Sequence, residues 1–336
     1  FRFLTAGRPS YLTAAYMMRD FIQVRKRCAQ FKLYLSCRVD NNPLDHLLFA
    51  LKHEGTNLAI LVQALERLAP DTLLGALRHS PNGAYVRIAC FLWEVSTGQT
   101  LSDLPAIGGP VADVFDPRRY VTGRSQRNTK WRVNFNGLGT PAYCATVERS
   151  EVVQAGISAD VLSQVDAFLG GLHPGLMDRA LAWAYLHEPE GSFAIEREAP
   201  DEDKARNFVR LLQQAHEGRP VTEQYLVELQ SSAVTNPFSK AVQFRTEQNW
   251  LRGPARGAAG ITYLPPPPDL AHELMRQWMV FANTAPQQPE LDPIVAASIT
   301  SFGLVFIHPF MDGNGRLSRF MFHQAFQPLA GLPAAE

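Results

Sequence analysis

Cysteine is scarce and unpatterned. The 336 residues hold four, Cys28, Cys37, Cys90 and Cys144, with no CxxC spacing. That argues against a zinc site or a disulfide scaffold and suits a reducing compartment, so cytoplasm is the expected location. Net charge is missing as well, with Lys+Arg 32 against Asp+Glu 32. No global field draws the chain to nucleic acid or to an anionic membrane, and any anion binding must be local. No apolar run approaches the ~20 residues of a membrane helix. The first residues, FRFLTAGRPSYL, lack the charged-then-apolar layout of a signal peptide. There is no Gly-x-x-x-x-Gly-Lys-Ser/Thr loop, so a P-loop ATPase has no support. His187-Glu188 lacks a second His four residues on, which rejects a zinc-protease helix. No internal repeat is apparent.

What is present is mostly helical period. Leu12 to Leu35 and Pro43 to Leu68 carry apolar residues at steps of three and four, among them Leu44, Leu47, Leu48 and Leu51, then Leu58, Leu61, Leu65 and Leu68. Each set predicts a helix with one buried face. Between Gly108 and Gly139 the period fails, Gly, Pro, Arg and Asn accumulate, and only Trp131 to Phe135 alternates as a strand would. This segment reads as a long surface excursion joining two halves. Its basic residues, from Arg118 to Arg132, read as a solvated, partly disordered loop rather than a nucleic-acid track. Gly137-Leu-Gly139-Thr-Pro-Ala142 matches a dinucleotide fingerprint without a βαβ unit around it and reads as a turn.

Helical period resumes from Val161 to Leu186, near Lys204 to Leu212 and near Thr222 to Leu229. Ala259 to Leu264 looks extended, the four prolines from Pro265 to Pro268 must be non-helical, and two amphipathic helices follow over Asp269 to Phe281 and Pro293 to Ile307. The division expected is an N-terminal accessory region over 1–150, mainly helical with a long irregular segment, and a second domain over 151–336.

The chemistry sits in His308-Pro-Phe-Met-Asp-Gly-Asn-Gly-Arg-Leu-Ser-Arg319, a loop feeding a helix N-terminus. Gly313 and Gly315 let backbone N–H groups converge on one spot, and the helix end adds partial positive charge, so the loop suits phosphate. Arg316 and Arg319, three residues apart, put two cations beside it. Asp312 is a hard oxygen ligand for the Mg²⁺ that accompanies a polyphosphate, and Asn314 can donate to a phosphoryl oxygen. His308 is the candidate base for an attacking hydroxyl near neutral pH. Asp312-Gly-Asn314 also opens like an EF-hand loop, but Arg316 stands where a third acidic ligand belongs.

This run resembles the signature of the Fic family, His-Pro-Phe-x-Asp-Gly-Asn-Gly-Arg-x-x-Arg, with every fixed position filled. The likeness extends upstream through Asn249-Trp250, Tyr263 to Pro268 and the helices around Leu274 and Ala297. The resemblance implies a mainly all-α fold: a helical core with a short β-hairpin flap, beside the mainly helical accessory region. It also implies transfer of AMP from ATP, with Mg²⁺, to a Ser, Thr or Tyr hydroxyl of a target protein. His308 would be the base and Asp312 the metal ligand. Asn314 would hold the α-phosphate, Gly313 and Gly315 the nest, and Arg316 and Arg319 the β- and γ-phosphates, with Phe310 buried beneath. Ile261, Thr262 and Tyr263, in the flap segment, would place the target by strand addition. Ser192-Phe-Ala-Ile-Glu196 resembles the family's inhibitory motif, in which Glu196 would pair with Arg319; the Arg197 that follows departs from the family's Gly or Asn, and Ser with Glu in a first helical turn is also a plain capping pattern. The resemblance leaves open another donor such as UTP or CDP-choline, removal of AMP, or a silent nucleotide-binding module. The family's phosphate-transferring Doc toxins have Lys where Gly315 stands. By family analogy a homodimer is also open.

Overall fold

A computed structural model describes residues 42–173, 175–176, 179, 209–212, 214–215, 218–234, 236–255, 257–288 and 290–329. The expected helix over Leu12 to Leu35, most of the one near Lys204 to Leu212, and Ser192 with Glu196 lie outside these residues. The chain forms two compact units, Phe1–Arg149 and Ser150–Glu336.

In the first unit the leucine steps become helices. α1 (Pro43–Phe49) starts where Asn42 Oδ1 accepts the Leu44 N–H at 3.1 Å, with Pro43 fitting the first turn. It runs on as a π-helical turn over Ala50–Glu54 and is followed by α2 (Leu58–Leu65), α3 (Pro70–His79) and α4 (Ala84–Thr97). Leu44, Leu47, Leu51, Leu58, Leu61 and Leu65 are buried in one cluster, and Leu48 and Leu68 pack against it.

The segment read as a surface excursion is instead folded into this cluster. β1 (Ala112–Asp113), β2 (Gln126–Asn128) and β3 (Val133–Phe135) form a sheet in the order β1-β3-β2, parallel on one side and antiparallel on the other. β4 (Leu138–Gly139) and β5 (Cys144–Ala145) make a small hairpin, closed by a turn in which Thr140 and Tyr143 exchange backbone bonds. Trp131, Val133 and Phe135 are buried. β3 lies in the Trp131 to Phe135 stretch that alternates in the sequence, whereas the other strands are too short to show a period, and their turns hold the Gly, Pro and Asn that suggested a loop. Buried side chains supply what so short a ladder lacks. Arg87 of α4 donates to the carbonyls of Trp131, Arg132 and Pro110 at 3.1, 2.9 and 2.8 Å. Glu94 accepts from Trp131 Nε1 at 2.7 Å, Leu101 N–H at 2.7 Å and Lys130 Nζ at 2.5 Å. The basic run is solvated as expected over Arg118 and Arg119, which pair at the surface with Asp116 and Glu148. Cys90 and Cys144 are buried free thiols, each pushed up to about 12 by burial.

The second unit begins with α5 (Glu151–Ser158) and α6 (Val161–Gly170). Its core is built from α7 (Glu223–Ala233), α8 (Pro268–Thr284), α9 (Pro293–Ile307) and α10 (Asn314–Leu329). Side-chain caps and prolines fix the starts: Thr222 Oγ1 accepts from Tyr225 N–H, Asp292 Oδ1 from Val295 N–H, and Pro268 and Pro293 occupy first turns. α9 is apolar nearly all round, as a central helix must be. Its small buried residues Ala296, Ala297 and Gly303 let neighbours approach, and α10 packs along it, with the Ser318 and Ser301 hydroxyls 3.5 Å apart. Buried Trp278 of α8 donates to the Thr300 carbonyl at 2.9 Å. The fold is mainly helical with small sheets, and no helix among the described residues is long and apolar enough to cross a membrane.

Candidate active site

α9 ends at His308, the residue that turns the chain out of the helix. Its backbone is left-handed, φ 55° and ψ 59°, and its N–H still bonds the Leu304 carbonyl at 2.9 Å. Glycine usually takes this position, and a residue with a β-carbon pays roughly 1–2 kcal/mol to do so. Imidazole Nδ1 lies 3.1 Å from the Val305 carbonyl oxygen. A carbonyl only accepts, so Nδ1 carries the proton in the neutral ring and Nε2 is its basic nitrogen.

The loop from His308 to Gly313 is pinned carbonyl by carbonyl. Arg245 donates from Nε to the His308 carbonyl at 2.8 Å and from its backbone N–H to that of Pro309, also at 2.8 Å. The Phe310 carbonyl accepts from Asn314 Nδ2 at 2.7 Å and Asn249 Nδ2 at 3.0 Å, and the Phe310 N–H donates to Asn314 Oδ1 at 3.0 Å. Gln230 of α7 reaches the Asp312 carbonyl at 3.2 Å. Phe310 is fully buried, with its ring edge-on to Phe244. With the carbonyls held outward, the first amides of α10 at Asn314, Gly315 and Arg316 have no intrahelical acceptor, which is the usual anion-binding arrangement of a helix start. Gly313 enters that helix at φ 85°, and its carbonyl accepts the Leu317 N–H.

The predicted polar residues divide their work. Asn314 is a staple of the loop; one of its amide hydrogens and its oxygen serve Phe310. Arg316 is buried and donates to the Ala233 carbonyl at 2.8 Å and to Asp312 Oδ1 at 3.5 Å, so it fastens α10 to α7 and steadies Asp312. Arg319 follows on the same helix, half-buried. Asp312 has 48 % of its side chain exposed while Oδ1 accepts the Gly313 N–H at 2.6 Å. No group of three or more His, Cys, Asp and Glu gathers among the described residues. A single half-exposed carboxylate fits the mode in which Mg²⁺ takes its remaining oxygens from polyphosphate and water.

Beside this loop β6 (Leu251–Arg252) and β7 (Ile261–Tyr263) form an antiparallel hairpin with an irregularity at Leu251/Arg252. The extended part is shorter than the sequence suggested, because Gly257–Gly260 form a 3-10 turn. Ile261 and Thr262 are exposed, and β7 has no strand on its outer edge among the described residues. Tyr263 faces inward: its hydroxyl donates to the Phe306 carbonyl, two residues before His308. Burial, opposed by Arg245 nearby, pushes that phenol up to about 12, so it stays a donor.

Residues 220–326 match the model of the Fic/DOC family. The chain carries a Fic/DOC domain. The match covers α7 to α10 and thus the loop, the hairpin and every described site residue. Among solved structures, the chain is similar to a Fic-domain-containing signaling protein from Bacteroides thetaiotaomicron, at 20 % identity over 51 % of this chain and 72 % of that one, TM-score 0.40. It is also similar to a Fic family protein from Desulfovibrio desulfuricans, at 18 % identity over 52 % and 57 %, TM-score 0.40. A Fic-1 fragment from C. elegans matches at 16 % identity over 93 % and 84 %, TM-score 0.37. Within the Fic domain, sequence reasoning missed Arg245, Gln230 and the role of Asn249. Asn249 was noticed only as part of the likeness; Arg245 and Gln230 carry no local pattern and are brought to the loop by tertiary packing.

Proposed function

We propose that this chain is a protein adenylyltransferase that moves AMP from ATP to a hydroxyl of a target protein. The observation that carries the reading is His308, whose Nδ1 lies on the Val305 carbonyl and leaves Nε2 as the basic nitrogen, on the loop that leads directly into the start of α10. In this reaction Nε2 takes the proton of the target hydroxyl, the oxygen attacks the α-phosphorus, and the bond from that phosphorus to the bridging oxygen breaks to release pyrophosphate. The helix-start amides and Asn314 receive the charge that builds on the phosphoryl oxygens, and Arg319 pairs with the outer phosphates. A positioned base contributes about 10²–10⁴ in rate and each preorganised donor about 3 kcal/mol. Mg²⁺ at Asp312 neutralises the polyphosphate when bound. The exposed edge at Ile261 and Thr262 suits an extended target segment. By the resemblance of the run from Ser192 to Glu196 to the family's inhibitory motif, Glu196 restrains the enzyme through Arg319, so Glu196→Gly is the more active form.

Position-specific labelling tests this. Glu196→Gly incubated with Mg²⁺ and ATP labelled at the α-phosphate becomes radioactive, and with γ-labelled ATP it does not. Label arriving only from the γ-position means phosphoryl transfer and overturns the proposal. Label from UTP or CDP-choline in place of ATP assigns another donor.

A further inference from the structure

The Arg245 guanidinium is 63 residues from His308 in sequence and touches its carbonyl in space. Arg245 is 4 % exposed. Burying a cation costs far more than burying an apolar chain of the same size unless every donor is used. Here the donors go to backbone carbonyls: Nε to His308, Nη1 to Glu247 at 2.9 Å, and Nη2 to Pro266. The backbone takes part as well, since the Arg245 N–H bonds the Pro309 carbonyl and its own carbonyl faces His272 Nε2 at 3.1 Å. Desolvation lowers the guanidinium's affinity for its proton, with Tyr263 opposing.

Two features point to the catalytic turn as what this arrangement serves. Side chain and backbone of one residue grip two successive carbonyls, His308 and Pro309, so the peptide between them cannot rotate. That peptide follows a residue held in the left-handed region, a conformation that persists only when its surroundings fix it. Glu247 and Pro266 lie on either side of the β6–β7 hairpin, so the same fork ties both of its ends to the turn. An apolar residue could fill the space and keep the backbone bonds, but could make none of the three side-chain bonds to His308, Glu247 and Pro266.

We infer that Arg245 is a positioning residue, which sets the backbone of His308 so that its imidazole donates from Nδ1 to Val305 and presents Nε2; the inference rests on reading His308 as the base. The test is the histidine ring tautomer, read by long-range ¹H–¹⁵N correlation on histidine-labelled protein. The samples are wild type, Arg245→Lys and Arg245→Met, with His308→Gln to assign the signal. Wild type shows His308 protonated at Nδ1. Arg245→Met, still melting cooperatively, shifts towards the Nε2–H form that an unconstrained histidine prefers, and Arg245→Lys lies between. In the Glu196→Gly background, Arg245→Lys lowers kcat at least about tenfold with little change in KM for MgATP, as misplacement of a reacting group does. An unchanged tautomer in a folded Arg245→Met overturns the inference. If that variant does not fold, a lowered melting temperature with an unchanged tautomer in Arg245→Lys overturns it equally. Absence of AMP transfer even in Glu196→Gly counts against the proposed reaction, while the tautomer still decides the role of Arg245.

Discussion

At the residue scale the site depends on two backbone conformations and the bonds that hold them. His308 and Gly313 bracket the loop, both at positive φ, one with a side chain that the proposed chemistry requires and one without any. A β-carbon at Gly313 would sit 3.0 Å from Val234 Cγ2 and 3.5 Å from Gln230 Cγ, besides the strain of φ 85°. Gly313→Ala should therefore destabilise the protein by about 1–2 kcal/mol, read as a lower urea midpoint at unchanged slope. It should also weaken binding of MgATP, because the strained φ and the close approach to Val234 would shift the loop that starts α10. Equal midpoints would mean that the loop can relax around the added methyl. His308, Asp312, Gly313, Asn314, Arg316 and Arg319 were all legible in the sequence because they lie in one run. What the run could not tell is how they share labour: Asn314 and Arg316 look like ligand contacts on paper, yet much of their bonding secures the loop.

At the element scale, helices were legible where a single face is buried over three or more turns. α8 falls close to where period and prolines put it; α9 has the expected bounds, but it is apolar nearly all round where the sequence was read as amphipathic. In the first unit only the alternation from Trp131 to Phe135 was legible, and β3 lies within it; β1, β2, β4 and β5 are too short to alternate, and the side chains that brace the sheet, Arg87 and Glu94, sit on a helix well before it. The hairpin of β6 and β7 is the element on which the proposed target placement rests. Its described tie to α9 is the Tyr263 hydroxyl on the Phe306 carbonyl, along with the Arg245 fork at its base. Tyr263→Phe removes one hydrogen bond and leaves the Phe306 carbonyl without that donor, a loss of about 1 kcal/mol. Amide exchange in the hairpin should quicken by roughly the fivefold that this energy implies, while amides in the middle of α9 keep their protection. Equal acceleration in both places would show that Tyr263 supports the whole core and not the hairpin.

At the scale of the whole molecule, the chain joins a helical unit with small sheets to a Fic/DOC domain, and the proposed chemistry belongs to the second. The neutral composition places no broad charged field over the protein. Affinity for a nucleotide must then come from the helix start of α10 and its arginines. Restraint by Glu196 is a claim about the whole chain, because that residue lies more than a hundred positions before the arginine it would meet. The most direct measurement is the intact mass of wild type, Glu196→Gly and His308→Ala after incubation with Mg²⁺ and ATP. The account predicts a gain of one AMP in Glu196→Gly, a smaller yield in wild type, and none in a folded His308→Ala. An AMP gain in His308→Ala equal to that of wild type, or no gain in Glu196→Gly with a supplied target as well as alone, would contradict it.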